Sequence, residues 1–117
     1  MVESKAWGLV RHIFDGPVSV SLLRTEANGY CSWHYHEHRW NMFYVVSGTI
    51  IVIVDDNNDG KIQRHILRAG DSYKVGPSVR HMFDVVESGQ VVETYWTDDG
   101  TDVTIDDIVR LEPGGMR

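Results

Sequence analysis

The sequence predicts an all-β protein folded as an antiparallel sandwich or barrel. Eight short segments are rich in β-branched and aromatic residues, turn signals separate them, and helical spacing appears only near the end of the chain. Evenly spaced short strands with turns between them are typical of sandwiches and barrels, whereas parallel βαβ units need helices between their strands. Because 117 residues suffice for one hydrophobic core, we expect a single domain over Met1–Arg117.

The predicted strands are defined by these β-rich segments. In chain order they are residues 18–24, 30–36, 42–46, 49–54, 61–67, 72–75, 81–86 and 90–97. Turn signals lie between them at Asn28-Gly29, Ser47-Gly48, 55–60, 69–71, Gly76-Pro77-Ser78 and Ser88-Gly89.

Two segments outside this pattern need their own interpretation. Residues 55–60 imitate the opening of a calcium-binding EF-hand loop, but the twelfth position is Ile66 instead of a carboxylate, so we predict a solvated hairpin turn. Residues 105–111 show helical spacing before Pro113, which predicts a short C-terminal helical turn.

Composition excludes several classes of partner. The net charge is -6 with histidine neutral, and the chain has no long basic cluster, so we expect no nucleic-acid binding. The longest aliphatic run, 50–54, is far shorter than a membrane span, which predicts no membrane association. The single cysteine, Cys31, cannot form an internal disulfide, so we expect a buried packing residue and a cytoplasmic protein.

His34 and His36 are the most informative residues, because alternate side chains of a strand point to the same side. A second glycine-framed block carries His81. Three neutral imidazoles can hold a divalent transition metal (Zn, Mn, Fe, Ni or Cu) with positions left open for water or substrate. The alternative is a polar interior in which the three rings hydrogen-bond to one another or to water.

Further polar residues surround these histidines. Asn41 can offer an amide oxygen as a ligand or hydrogen-bond to a water. His38 shares the parity of His34 and His36, so it is either a fourth imidazole and our candidate catalytic base or an exposed residue at the strand end. Arg39 and Arg80 can bind a substrate phosphate or carboxylate, or remain solvated charges at the rim.

The remaining aromatic residues and histidines have less specific roles. Tyr44 is a candidate substrate contact, because an aromatic face packs well against a sugar ring, although most such aromatics belong to the core. His12 and His65 lie outside both blocks, and we expect them at the surface.

The two glycine-framed blocks resemble the paired motifs of the cupin superfamily over residues 29–85. By this resemblance His34, His36 and His81 occupy metal-ligand positions, and Asn41 stands where the family usually has a glutamate ligand. The segment 33–48 and the tail 106–111 are similar to the cupin domain of type II mannose-6-phosphate isomerases, which typically have glutamine at the first histidine. The resemblance implies a double-stranded β-helix, the cupin jelly roll, with the metal in the barrel mouth.

Three functions follow as expectations. The first is a metal-dependent isomerase or epimerase acting on a small sugar phosphate, with His38 as the base. The second is an iron-dependent dioxygenase, because three histidines leave positions for oxygen and substrate. The third is a non-catalytic cupin that binds or senses a sugar-like ligand. By resemblance we also expect a homodimer formed through the N-terminal strand or the tail after Thr97.

Overall fold

The computed structural model describes residues Met1–Arg117, and its regular structure consists of eleven strands and no helix. The strands are β1 (Val2–Lys5), β2 (Gly8–Phe14), β3 (Val18–Thr25), β4 (Gly29–Tyr30), β5 (Trp33–Tyr35), β6 (Arg39–Asp55), β7 (Gln63–Arg68), β8 (Ser72–Val75), β9 (Arg80–Thr97), β10 (Val109–Glu112) and β11 (Gly115–Met116). The chain therefore contains no helix long and apolar enough to span a membrane.

The two long strands β6 and β9 organise the fold. They pair antiparallel over their whole length, from Arg39 opposite Thr97 to Asp55 opposite Arg80. The register shifts in the middle of this pair, between residues 45 and 50, where Gly48 adopts a φ of 81°. A Cβ on the facing Gly89 would lie 2.1 Å from the Ser47 carbonyl oxygen, so only glycine allows this close approach.

This central bend divides the strands into two antiparallel layers. The first layer contains β1, β2, β3, the second half of β9, the first half of β6, and β8. The second contains β7, the second half of β6 and the first half of β9, followed by β4 and β5 with their C-terminal partners β11 and β10. The predicted all-β jelly roll is confirmed.

The core lies between the layers and is built by period-two alternation. Inward positions of β6 such as Phe43, Val45 and Val52 are buried, and Phe83 and Val91 of β9 face them. Burying each such side chain contributes roughly 1.5–3 kcal/mol to folding. His81 has the same parity as Phe83 and Val91 on β9, so its side chain also points between the layers.

Cys31 belongs to this core, as the sequence predicts. Its thiol is buried, its sulfur accepts a hydrogen bond from the Phe83 amide at 3.2 Å, and burial raises its pKa to about 12. A thiol in this environment stays protonated at neutral pH, which fits a packing role.

Several expectations about the elements need correction. The predicted turns at 47–48 and 88–89 are bends inside β6 and β9, because the two glycines face each other across a continuous ladder. The predicted helical turn at 105–111 is wrong. Residues 105–106 form a turn and Val109–Glu112 is a strand, because the free edge of β5 offers it backbone partners. Strands β1 and β2 were not predicted.

Residues 56–60 form the expected solvent-facing turn, whereas Asp55 is buried at the end of β6. The carboxylate of Asp55 accepts hydrogen bonds from the amides of Asp59 (3.1 Å) and Gly60 (2.9 Å). The acidic side chain of Asp55 therefore stabilises the turn.

Candidate metal centre

The three predicted ligand histidines converge between the two layers. His34 of β5 lies directly opposite His81 of β9, with ring centroids 4.4 Å apart, and the His36 ring is 4.9 Å and 5.2 Å from them. All three are buried, and their ligating nitrogens lie within 4.8 Å of one another. Pairing of β5 with β9 places His34 and His81 side by side, and His36, just past the end of β5, completes a cluster of three imidazoles in one small space.

Backbone carbonyls fix the orientation of all three rings. The Nδ1 atoms of His34, His36 and His81 lie 2.6 Å, 2.8 Å and 2.8 Å from carbonyl oxygens, which can only accept a hydrogen bond. The carbonyls belong to Ser32, Asp107 and Val79, respectively. Each Nδ1 therefore carries the proton, and each Nε2 keeps a lone pair. A carbonyl partner on the outer nitrogen is the usual support of a metal-binding histidine.

His36 has a second neighbour that could suggest the opposite tautomer. The Arg39 Nε lies 3.1 Å from His36 Nδ1 and would donate to it if that nitrogen were unprotonated. That tautomer would leave the Asp107 carbonyl without its donor and place a hydrogen on the buried Nε2, which has no acceptor. The contact to Asp107 is the shorter one, and a proton on Nδ1 leaves no buried hydrogen without an acceptor. Both points favour the protonated Nδ1.

Burial keeps all three imidazoles neutral. It lowers the pKa of His34 to about 2, of His36 to about 3 and of His81 to about 4, and the charge of Arg39 adds to this effect for the last two. Neighbouring imidazoles contribute as well, most strongly at His34. Only a neutral imidazole offers a lone pair, so the rings are in the form that binds metal at neutral pH.

Two buried atoms of this cluster have no hydrogen-bond partner: His36 Nε2 and Asn41 Oδ1. An unpaired buried polar atom costs about 1–3 kcal/mol, which a native fold seldom leaves uncompensated. Both atoms are electron-pair donors. This donor set, three neutral imidazoles and one amide oxygen, fits a divalent transition metal.

Asn41 links the histidines to a carboxylate that sequence analysis missed. Its Nδ2 lies 3.4 Å from both His81 Nε2 and Glu93 Oε2. Burial raises the pKa of Glu93, while hydrogen bonds from Tyr95 and Asn41 and the charge of Arg39 act in the opposite direction. Glu93 of β9 thus brings a carboxylate next to Asn41. Glu93 shares the inward parity of Val91 and Tyr95, and that alternation was the available signal.

Arg39 belongs to the same cluster. It is 7% exposed, its guanidinium lies 4.0 Å from the Tyr95 ring centroid, and its Nη1 donates to the Thr104 carbonyl at 3.0 Å. The alternative of a solvated rim charge is therefore wrong for this residue. Its position near His36 leaves its role as a substrate contact a prediction.

The structure does not bring the other predicted site residues to the histidines. The His38 side chain is 77% exposed, and its nearest charged neighbour is Glu37 at 3.9 Å. Tyr44 is 42% exposed and alternates with the buried residues of β6, so it lies on the outer face. Arg80 has the opposite parity to His81 on β9.

The two remaining histidines are less exposed than expected. His12 Nε2 lies 3.0 Å from a Glu3 carboxylate oxygen, and its Nδ1 lies 3.3 Å from the buried Ser21 hydroxyl. The His65 ring stacks on Tyr73 with centroids 4.2 Å apart. Both are half-buried, and neither joins the three-histidine cluster.

Solved structures show the same fold at low sequence identity. An oxalate decarboxylase from Bacillus subtilis superposes with a TM-score of 0.79 at 12% identity, covering 95% of this chain and 30% of that one. An oxalate decarboxylase from Lactobacillus farciminis gives 0.77 at 12% identity, covering 95% and 33%. The capsular polysaccharide assembling protein CapF from Staphylococcus aureus gives 0.77 at 18% identity, covering 96% and 34%. The chain thus spans about a third of the length of each of these proteins.

Sequence comparison with protein families gives the assignment. No curated protein sequence matches the chain. Residues 21–98, more than half of the chain, match the family model described as the cupin domain, and this range includes His34, His36, Asn41 and His81. The fold, the paired histidine blocks and this match agree, so the chain belongs to the cupin domain family.

Proposed function

We propose that this cupin binds one divalent transition metal through the Nε2 atoms of His34, His36 and His81. Zn, Mn, Fe, Ni and Cu are the candidates, because neutral imidazoles suit all of them. The observation that carries the proposal is the set of three Nδ1 atoms held by backbone carbonyls, with the buried Nε2 of His36 left unpaired. The unpaired Oδ1 of Asn41 is the candidate fourth ligand atom.

Elemental analysis of the untagged, purified full chain tests this proposal. We expect near-stoichiometric metal in the wild-type protein and loss of that metal in His36→Ala. His65→Ala is the matched control, because His65 is a half-buried histidine outside the cluster. Equal metal contents in all three proteins, or substoichiometric metal throughout, would contradict the proposal.

We further propose that the substrate is a small polar, sugar-like molecule and that the reaction is the isomerisation or epimerisation of a sugar phosphate. The choice of reaction starts from the resemblance of segment 33–48 to mannose-6-phosphate isomerase cupin domains, which rests on the sequence alone. Two observations support it: the polar cluster of Asn41, Glu93 and Arg39, and a fold shared with a protein of capsular polysaccharide assembly. A bound metal would polarise the substrate carbonyl.

Glu93 is the acid–base group that the structure offers for such a reaction. It lies beside Asn41 inside the barrel, whereas the His38 side chain is largely exposed. Its carboxylate would take a proton from the carbon next to the substrate carbonyl and return it to the adjacent carbon. The test is exchange of the substrate C2 hydrogen with deuterium in heavy water across a panel of sugar phosphates. Absence of exchange for every sugar phosphate of the panel in the presence of metal would exclude the reaction.

An iron-dependent dioxygenase is the second candidate, because three histidine ligands would leave coordination positions open for oxygen and substrate. This function predicts oxygen consumption that requires both Fe(II) and an organic substrate. A non-catalytic cupin that binds or senses a sugar is the third candidate, and the amide at position 41 in place of a carboxylate supports it. It predicts ligand binding without deuterium exchange or oxygen uptake.

We also propose a homodimer. Exposed apolar side chains of β3 and β6, namely Val18, Tyr44 and Val46, lie on the outer side of the first layer near the stacked rings of Trp40 and Trp96. The tail is a less suitable contact than the sequence suggested, because β10 and β11 pair with β5 and β4 of their own chain. Sedimentation equilibrium that gives the monomer mass at micromolar concentration would refute the dimer.

A further inference from the structure

The side chain of Asp107 holds the loop that follows the first histidine block. One carboxylate oxygen accepts the amide of Glu37 at 2.7 Å, and the other accepts the amides of His38 at 3.0 Å and Arg39 at 2.9 Å. The backbone carbonyl of Asp107 accepts the Nδ1 proton of His36 at 2.8 Å. A single residue therefore binds four consecutive residues, 36–39, of the candidate metal centre.

The segment around Asp107 supports the same loop. The Thr104 carbonyl accepts both the Asp107 amide at 3.3 Å, which closes a turn, and Arg39 Nη1 at 3.0 Å. The following strand β10 then pairs with β5, where Arg110 lies opposite His34. Residues 104–110 thus contact both histidines of the first block, and they lie outside the range 21–98 that matches the cupin family.

The contacts have a clear physical effect. Three successive amides pointing at one carboxylate form charge-assisted hydrogen bonds, and these restrict a loop that otherwise lies past the end of β5. His34 and His81 donate to carbonyls only two residues away in their own segments, whereas His36 depends on a carbonyl 71 residues away. His36 is therefore the imidazole whose orientation depends on the tail.

We infer that Asp107 is the positioning residue of the metal centre: its carboxylate fixes the 37–39 loop, and its carbonyl selects the tautomer and ring orientation of His36. The inference rests on the proposed metal binding, and it adds that residues beyond the family match complete the site. Asp107 itself is not a ligand in this scheme.

The first test is the zinc affinity of the metal-depleted full chain, measured by competition with a chromophoric chelator. We expect Asp107→Ala to weaken zinc binding by about 10–100-fold, the range typical of residues that orient a ligand. Asp107→Asn keeps one acceptor oxygen and should give an intermediate loss. Asp71→Ala is the matched control, because Asp71 also accepts a backbone amide, that of Arg68 at 2.9 Å, away from the histidines. Equal affinity of Asp107→Ala and the wild type would overturn the inference.

The second test needs no metal and separates this inference from the proposed function. Side-chain ¹⁵N NMR of the metal-free protein reports the His36 tautomer, and hydrogen exchange reports protection of the amides of 37–39. We expect a Nδ1-protonated His36 and protected amides in the wild type and in Asp71→Ala. Substitution of Asp107 keeps its backbone carbonyl and removes or changes only the carboxylate, so protection of the amides should be lost in Asp107→Ala and reduced in Asp107→Asn. A wild-type chain that binds none of Zn, Mn, Fe, Ni and Cu would refute the proposed function. Unchanged protection of these amides in Asp107→Ala, or a wild-type His36 protonated at Nε2, would refute the role of Asp107.

Discussion

The two histidine blocks reach the same site by different means. His81 lies inside β9, where it pairs with His34 on one side and with Val54 of β6 on the other, and it is fully buried. His36 follows the end of β5, and its orientation depends on Asp107 in the tail. The comparison shows that a ligand inside a strand is positioned by the ladder and a carbonyl two residues away, whereas a ligand past a strand end needs a distant partner.

The largest expected effect is the loss of zinc affinity when a proposed ligand is removed, compared with the loss when a positioning residue is removed. His81→Ala deletes a proposed ligand atom, so its loss of zinc affinity should exceed the about 10–100-fold loss expected for Asp107→Ala. Chelator competition on metal-depleted protein measures both variants under the same conditions. Circular dichroism verifies the fold of each, since the His81 ring is also part of the interior. An equal or smaller loss in His81→Ala would show that the second block does not contribute a ligand.

The next prediction concerns the carboxylate of Glu93, which lies in the layer opposite the histidines. Glu93→Gln preserves shape but removes the proton acceptor, so deuterium exchange into substrate should slow by about 10²–10⁴-fold, the usual contribution of general acid–base catalysis. Its metal content should remain that of the wild type, because the three-histidine cluster does not include Glu93.

Glu87→Gln is the control for this experiment. Glu87 belongs to the same strand but is exposed at the central bend, so the substitution should leave exchange unchanged. An exchange rate in Glu93→Gln equal to that of the wild type would remove Glu93 from the mechanism while leaving the metal centre intact.

The difference between the blocks also explains what the sequence could reveal. Alternation along a strand is local, so His34 and His36 could be placed on one side of a strand from spacing alone, whereas His81 was joined to them by the resemblance of the second glycine-framed block to the cupin motif. Glu93 obeys the same alternation, but it lies outside both glycine-framed blocks and was not connected with them. The contact of Asp107 with residues 36–39 joins distant parts of the chain, and no local pattern predicts it.

Prediction of the strands was limited in the same way, because a local pattern does not reveal pairing with a distant segment. Gly48 and Gly89 carry turn signals, yet each lies in a continuous strand because the other faces it across the ladder. The segment that forms β1 is short and includes the charged residues Glu3 and Lys5. The segment that forms β2 contains Leu9, Val10, Ile13 and Phe14, a β-rich composition that the sequence analysis did not use. They form strands because β3 offers β2 a paired edge, and β2 then offers one to β1.

A smaller effect distinguishes the glycines of the two blocks. A Cβ at Gly29 would lie 2.6 Å from the Trp7 Cβ and 2.7 Å from its Cα, so Gly29→Ala must displace backbone. We expect it to lower the free energy of unfolding by about 1–3 kcal/mol. A Cβ at Gly76 would lie 3.2 Å from the Trp40 ring, which is only half-buried and can shift, so Gly76→Ala should cost less than about 1 kcal/mol. Urea unfolding of both variants measures the difference, and the reverse order would contradict the packing described for the first block.

The smallest expected effect concerns the side chain of His38. Its backbone amide donates to Asp107, but its imidazole is 77% exposed. His38→Ala keeps the amide and removes only the ring, so metal affinity and deuterium exchange should change by no more than about 0.5 kcal/mol, as is usual for surface substitutions. Chelator competition and exchange in heavy water measure the two quantities. A large loss of exchange with unchanged affinity would instead identify His38 as the base. Proton transfer would then take place at the exposed mouth of the barrel, and Glu93 would have only a structural part in the interior.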